Sequence, residues 1–285
     1  MTIFQVFFLP LHCFKTKRMK KVLFINQEII PYVPESEMSL MGNLMPQKMQ
    51  EAGYEIRTFM PKGGTINERR GQLHEVIRLS GMNLIIDDMD HPLIIKVATI
   101  PHTRIQVYFI DNEDYFQKRN MTADEFGKDY ADNGERAIFF ARGVLETVKK
   151  LRWVPDVIHC QGWMSGVIPF YVKTAYRDEP SFANTKVISS LFNTQPTGEF
   201  GSKFKQSIAY REATTEMMEK YGEKFDFIEL GKLVIDYSDA IVMTGDDINA
   251  DLVKYAAGQQ KVVMNHPSEE KITEEYSQFY EKLLG

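Results

Sequence analysis

Three stretches of this sequence place reactive or hydrogen-bonding side chains where a ligand would meet them. The strand-like Val157-Ile158-His159 is followed by Cys160-Gln161-Gly162-Trp163-Met164-Ser165, leading into a helix. Ligands of doubly wound sheets sit beyond the carboxyl ends of the strands, so such a turn is where a site belongs. Gly162 lets the backbone turn, Trp163 can stack on a sugar face, and His159 and Gln161 offer hydrogen bonds; a buried Trp and a bonded core His explain the same residues without a ligand. After Val187-Ile188-Ser189-Ser190-Leu191-Phe192 comes Asn193-Thr194-Gln195-Pro196-Thr197-Gly198. Its neutral amides and hydroxyls suit sugar hydroxyls better than phosphates, although Asn193 and Gly198 can equally serve only the turn. The third stretch, Asp129-Tyr130-Ala131-Asp132-Asn133-Gly134-Glu135-Arg136, enters the helical run Ala137-Ile138-Phe139-Phe140-Ala141-Arg142. Asp132 or Asn133 can cap that helix, and Asp132 and Arg136 at its start can also meet a polyol.

Other chemistries are missing. After Val22-Leu23-Phe24-Ile25 the loop from Asn26 to Glu37 holds no G-x-G-x-x-G and no Walker pattern, so a dinucleotide or nucleoside triphosphate lacks its usual cradle. Glu35 and Glu37 would repel an anion at the following helix N-terminus, and the same carboxylates stabilise a helix start. The histidines His12, His74, His91, His102, His159 and His266 form no H-E-x-x-H or comparable cluster, so no metal and no cofactor are expected. No Ser-His-Asp or Cys-His arrangement can be read from the spacing. A pocket lined by Ser189, Ser190, His159 and Gln161 leaves an unrelated small-molecule enzyme as a further reading.

Those loops need a scaffold. The chain has 285 residues, 44% hydrophobic and 26% charged, with 34 basic against 39 acidic residues, which is enough for a large core and offers no basic face for nucleic acid. Two cysteines, Cys13 and Cys160, fit a reducing compartment, so a cytoplasmic protein is expected. Short apolar runs at 22–25, 55–59, 94–99, 105–110, 157–159, 187–189 and 240–243 alternate with helical patterns at 39–51, 133–152, 163–176, 227–237 and 246–255. Continuous apolar strands between helices predict a doubly wound, mostly parallel, Rossmann-like α/β sheet covered on both faces. Between Gly71 and Ile110 the punctuation by His91-Pro92 and Pro101-His102 predicts edge hairpins, and 193–223 reads as a long loop with a variable helix. Met38, Met41, Met45 and Met49 fall on one helical stripe and read as adaptable core.

The ends carry expectations of their own. Ile3 to Phe14 is apolar, but it is interrupted by Pro10 and His12 and followed by Lys15, Lys17 and Arg18, the wrong polarity for a secretory signal and too short to span a bilayer. Residues 1–18 therefore read as a tail or a mis-called start, with Met19 as the start and 19–285 as one domain; an amphipathic membrane anchor is the minority alternative. At the other end Ile272, Tyr276, Phe279, Tyr280 and Leu283 form one apolar face of a helix expected to dock on the sheet and close the chain.

Taken together these segments resemble the N-terminal half of bacterial glycogen and plant starch synthases, retaining glucosyltransferases of the GT-B fold. The likeness rests on Lys21-Val22-Leu23-Phe24 with Glu28 and Pro31, Met60-Pro61-Lys62, and Val107-Tyr108-Phe109-Ile110-Asp111-Asn112 with Tyr115-Phe116. It continues through Asp132-Asn133 with Arg136 and Phe140, Trp153-x-Pro155-Asp156-Val157-Ile158-His159, Trp163, Asn193, Gly198, Phe200 and Tyr237-Ser238-Asp239-Ala240. The resemblance implies transfer of glucose from ADP-glucose to an α-1,4-glucan without a metal, with Glu28, Asp132, Asn133, Arg136, His159, Gln161, Trp163, Asn193 and Gly198 on the carbohydrate side.

The departures fall where that family keeps its chemistry. Its first loop carries Lys-x-Gly-Gly-Leu followed by an Asp; here Pro34 stands at the lysine, Ser36 and Glu37 at the glycines, Met38 at the Leu and Leu40 at the Asp. Replacing a cation by Pro and adding a carboxylate removes the basis for holding pyrophosphate there. The family's His-Asp-Trp-His appears as Gln161-Gly162-Trp163-Met164, and its His-Asn pair as Phe192-Asn193. No second Rossmann-like domain, the expected source of the groups that stabilise the leaving phosphate, is recognised after Asn249. The expectation is a weak or inactive catalyst on its own. Alternatives are a non-catalytic carbohydrate-binding or regulatory module, and a half-enzyme completed by a separate nucleotide-binding domain. No membrane or nucleic-acid partner is expected.

Overall fold

The computed structural model describes residues 18–193 and 196–285. The expectations placed on the segment before residue 18, on Cys13 and on Thr194 and Gln195 therefore lie outside the described residues. The chain begins with β1 (Lys21–Asn26), α1 (Glu37–Glu51) and β2 (Glu55–Pro61), and continues with β3 (His74–Glu75), β4 (Met82–Ile86), β5 (Met89–Thr99) and β6 (Gln106–Asp111). After α2 (Asn133–Lys150) come β7 (Val157–Gln161), α3 (Ile168–Lys173), β8 (Lys186–Leu191) and α4 (Phe204–Ser207). The last elements are α5 (Phe227–Tyr237), β9 (Ala240–Met243), α6 (Ala250–Gly258), β10 (Val262–Asn265) and α7 (Ile272–Leu284).

The strands form a sheet in the order β10-β9-β8-β7-β1-β2-β6-β5-β3, with β4 paired on β5. From β10 to β6 all neighbours are parallel, while β5 runs antiparallel to β6, and β3 and β4 run antiparallel to β5. The expected mostly parallel α/β sheet with edge hairpins is what the chain forms. Both faces are covered, which is why Val22, Leu23, Phe24 and Ile25 are all fully buried despite pointing alternately to opposite sides. Leu23, Ile25 and Ile158 pack with α2, α3 and α5 on one face; Val22, Phe24 and Val157 pack with α1 and α7 on the other. The methionine stripe of α1 lies in that second core, as do Ile272, Tyr276, Phe279 and Tyr280 of α7, with Leu283 partly buried beside them. Among the described residues no helix is long and apolar enough to cross a membrane.

Several boundaries differ from the sequence reading, each for a local reason. Asp87 and Asp88 take φ of 49° and 64°, the left-handed turn that a tight β4–β5 hairpin requires and that Asp tolerates. The helix expected over 163–176 is broken into a 3-10 turn at Trp163–Ser165 and α3, which starts with Pro169 in its first turn, where a missing N–H costs least. The helix expected from Asp246 begins at Ala250, because Asn249 caps it by accepting from the Asp251 N–H. Helix α1 runs through Pro46, which cannot donate to the Gly42 carbonyl; Asn26 Nδ2 donates to that oxygen instead, at 3.2 Å.

Candidate functional site

The chain leaves β1 toward β2 and β6 on one side and returns through α2 to β7 on the other, so β1 and β7 are neighbours whose following segments diverge. This is the crevice at which doubly wound sheets bind ligands. Asn26 and Gln161 are register partners at its floor. Gln161 is fully buried and neither its amide nitrogen nor its amide oxygen has a protein partner; Asn26 Oδ1 beside it is unpartnered as well. An amide so placed costs about 1–3 kcal/mol for each group left unbonded, which marks the position for an account other than packing. Gly162 follows at φ 85°, where an added Cβ would lie 2.7 Å from Gln27 Cβ and 2.8 Å from Met38 Sδ, so only glycine fits this turn. Gln27 Oε1 in turn accepts from the Met164 N–H at 3.2 Å, tying the two post-strand loops together.

The neighbouring entrance of α1 is closed from within. Ser36 caps the helix by accepting from the Ser39 N–H at 3.0 Å, and Ser39 Oγ accepts from the Ser36 N–H at 2.8 Å. The Ser36 hydroxyl donates to Glu28 Oε2 at 2.7 Å, and Gln27 Nε2 donates to Glu28 Oε1 at 3.3 Å. A carboxylate thus stands behind the cap at the helix terminus, the place where backbone N–H groups would otherwise attract phosphate.

The candidates on the α2 side are engaged in holding the 113–132 segment. Fully buried Arg136 donates from Nε to the Tyr115 carbonyl, from Nη1 to the Met121 carbonyl and Asn133 Oδ1, and from Nη2 to the Asn120 carbonyl, all at 2.7–2.9 Å. Burial, with a smaller push from the nearby Arg119 charge, lowers its pKa to about 10. Asn133 Nδ2 donates to the Thr122 carbonyl at 2.9 Å, and Asp132 receives a bidentate pair from Arg119 at 2.5 and 2.7 Å. Burial pushes the Asp132 carboxyl up, but the Arg119 hydrogen bond and charge outweigh it and the net shift is downward. Trp163 is 4% exposed; its indole N–H donates to Thr122 Oγ1 at 3.1 Å and its ring meets Phe200 edge-on at 5.6 Å between centroids. Asp129 Oδ2 accepts from the N–H groups of Thr197 and Gly198, at 2.6 and 2.8 Å, and exposed Asn193 donates to Asp247 at 3.1 Å.

His159 faces inward. Its Nδ1 lies 2.8 Å from the Tyr280 hydroxyl and its Nε2 2.8 Å from Ser190 Oγ, and complete burial pushes its pKa down to about 3. It is therefore a neutral core residue linking β7 to α7. Ser189 is bonded to Ser238 at 2.8 Å, and burial pushes the Cys160 thiol well above its ordinary range. The cavity between Cys160, Trp163, Ser189, Leu191 and Leu230 is only about 30 Å³, room for about one water and not for a sugar ring. Among the described residues no group of His, Cys, Asp and Glu is arranged to hold a metal ion.

The sequence matches the family described as the starch synthase catalytic domain over residues 21–262. The chain belongs to that family. Glycogen synthase of Chlorobium limicola is 35% identical over 240 residues, covering 81% of this chain and 49% of that protein. Glycogen synthase of Chlorobium luteolum is 37% identical over 200 residues, 70% of this chain and 41% of that protein. The chain thus spans about half the length of the relatives it matches or less. The catalytic domain of starch synthase IV from Arabidopsis thaliana, solved bound to ADP and acarbose, superposes with a TM-score of 0.70 at 14% identity over 87% of this chain and 51% of that one, a likeness of fold.

Within this starch synthase-like fold, Glu28, Gln161 and Trp163 border the crevice, while Asp132, Asn133 and Arg136 shape the segment that seats Trp163. Gly198 and Asn193 lie on the strap after β8, and His159 stands apart in the core. Sequence reasoning missed Gln27, Ser36, Thr122 and Asp129 as the groups that fix these loops. For Ser36 a signal existed in the Ser at the head of the methionine stripe; for Gln27, Thr122 and Asp129 the partners lie far along the chain and no local spacing announces them.

Proposed function

We propose that these residues form the carbohydrate-side half of a starch or glycogen synthase type of glucosyltransferase. They hold an α-1,4-glucan at the carboxyl ends of β1 and β7, and transfer of glucose from ADP-glucose to that glucan is the reaction in which this half takes part. The observation that carries the reading is the contrast at one crevice: the α1 terminus is filled by Ser36 and the Glu28 carboxylate, while Gln161 beside it keeps a neutral amide with neither end bonded. A neutral amide donates to one hydroxyl and accepts from another, which matches a sugar, and a carboxylate at the helix terminus repels a diphosphate. Met38, over Gly162, is the flexible side chain that would move to admit the ligand.

The Glu28 carboxylate behind the α1 terminus opposes the charge developing on a departing ADP, so weak or absent transfer by the 285-residue polypeptide alone is the expectation. The groups for that charge come from a further nucleotide-binding domain, in the same chain or a separate one. A retained glucan-binding role without turnover is the second reading, favoured by the same closed α1 entrance. The use of only two cysteines supports a reducing, cytoplasmic setting.

The test is ADP release from ADP-glucose by the purified polypeptide, with and without a maltooligosaccharide. Acceptor-dependent release at rates typical of enzymes would overturn the reading of a carbohydrate half that lacks phosphate-binding groups. No release together with measurable maltooligosaccharide binding is the expected result.

A further inference from the structure

Phe126 is 87% exposed, the most solvent-facing large apolar side chain in the described chain. A single exposed apolar residue is ordinary on a protein surface and on a loose loop would need no account. This one sits at the tip of a built turn. Ala123 bridges Asp129 in antiparallel fashion, and the Asp124 N–H donates to the Lys128 carbonyl at 2.9 Å. Asp124 Oδ1 accepts from the N–H groups of Phe126 and Lys128, each at 2.9 Å, and Gly127 takes φ 79° to complete the reversal. The ring is therefore offered to solvent by backbone fixed on both sides.

The base of the turn leads to the crevice. Thr122 accepts from the Trp163 indole, the Thr122 carbonyl takes Asn133 Nδ2, and Asp129 holds Thr197 and Gly198. Phe126 lies four residues from Thr122, hence within roughly 13 Å of it along the chain at 3.3 Å per residue. Exposed Glu125 and Lys128 flank the ring with a hydrogen-bond acceptor and a donor. A flat apolar face between polar groups, at the end of a rigid arm starting at Trp163, is complementary to the C–H face of a pyranose with its hydroxyls pointing outward.

We propose that Phe126 is a stacking platform for a distal glucose unit of an α-glucan whose near end lies at Gln161. This rests on the reading of the crevice as a glucan site and extends it to a second contact a few glucose units away. Maltotriose reaches the crevice alone, whereas maltoheptaose spans both contacts.

The experiment is titration of the 285-residue protein and of its Phe126→Ala and Phe126→Trp variants with maltotriose and with maltoheptaose. Phe126→Ala is expected to weaken maltoheptaose binding roughly three- to tenfold, the worth of one aromatic stacking contact, and to leave maltotriose unchanged. Phe126→Trp retains the affinity for the longer chain. Unchanged maltoheptaose binding in Phe126→Ala, with the parent protein binding both ligands, overturns the platform and leaves the crevice reading intact. Equal weakening for both ligands also overturns it, as does a change in oligomeric state in place of a change in affinity. Failure of the parent protein to bind either glucan overturns both readings.

Discussion

The two sides of the crevice use their polar groups differently. On the α2 side the residues at the helix start are matched: Arg136 meets four acceptors, Asn133 uses both ends of its amide, and Asp132 is locked to Arg119. On the β7 side Gln161, equally buried, meets none. A matched network makes a fixed scaffold and an unmatched group makes a cost, so the difference separates residues that position the site from residues available to a ligand.

The largest effect that probes this contrast is at Arg136. Replacing it by Met keeps much of the volume but leaves buried carbonyls unbonded, and a stability loss of at least about 3 kcal/mol in urea titration is expected, since each such group costs roughly 1–3 kcal/mol. A loss under about 1 kcal/mol would mean the clamp is not the scaffold described. Next comes His159, whose folded pKa of about 3 lies below its ordinary 6.5. The unfolded chain takes up a proton that the native state refuses, so stability is full above pH 6.5 and falls as pH drops toward 3, by about 1.4 kcal/mol per unit at most. The depressed Asp132 carboxyl acts in the same direction, chiefly below its ordinary value of 3.8, so the His159→Gln variant should show a shallower slope between pH 6 and 4. An unchanged slope would place the acid sensitivity elsewhere.

A smaller change is expected at Gln161 and has the opposite sign. Gln161→Leu removes two unbonded buried groups at similar volume and should raise stability by about 1 kcal/mol while weakening glucan binding about tenfold. Lower stability with unaltered glucan binding would show that the amide belongs to the packing and not to a ligand. Smallest is Ser36→Ala, which removes the α1 cap at a cost of about 1 kcal/mol in thermal unfolding and creates no ADP binding.

The sheet was legible because its signal is local: apolar runs such as Val22 to Ile25 appear only where both faces are covered. The edge strand β10 escaped because Val262 and Val263 are partly exposed and short, with no alternation to read. In the site, the acidic, glycine-poor loop after β1 pointed away from a phosphate cradle, and the structure fills that helix entrance with the capping pair Ser36 and Ser39. Which of two readings held for each remaining residue was not legible. Trp163 and His159 were equally consistent with packing and with a ligand, and only their bonds to Thr122, Tyr280 and Ser190, 31 to 121 residues away, distinguish them. Gln161 could be recognised only from the absence of such partners, which no spacing encodes.

The central claim is that this crevice takes a neutral glucan and not a nucleotide diphosphate. Calorimetric titration of the same preparation with maltoheptaose and with ADP tests it directly. Binding of maltoheptaose that Gln161→Leu weakens, with no heat from ADP, is the predicted result; saturable ADP binding with no response to maltoheptaose would contradict it.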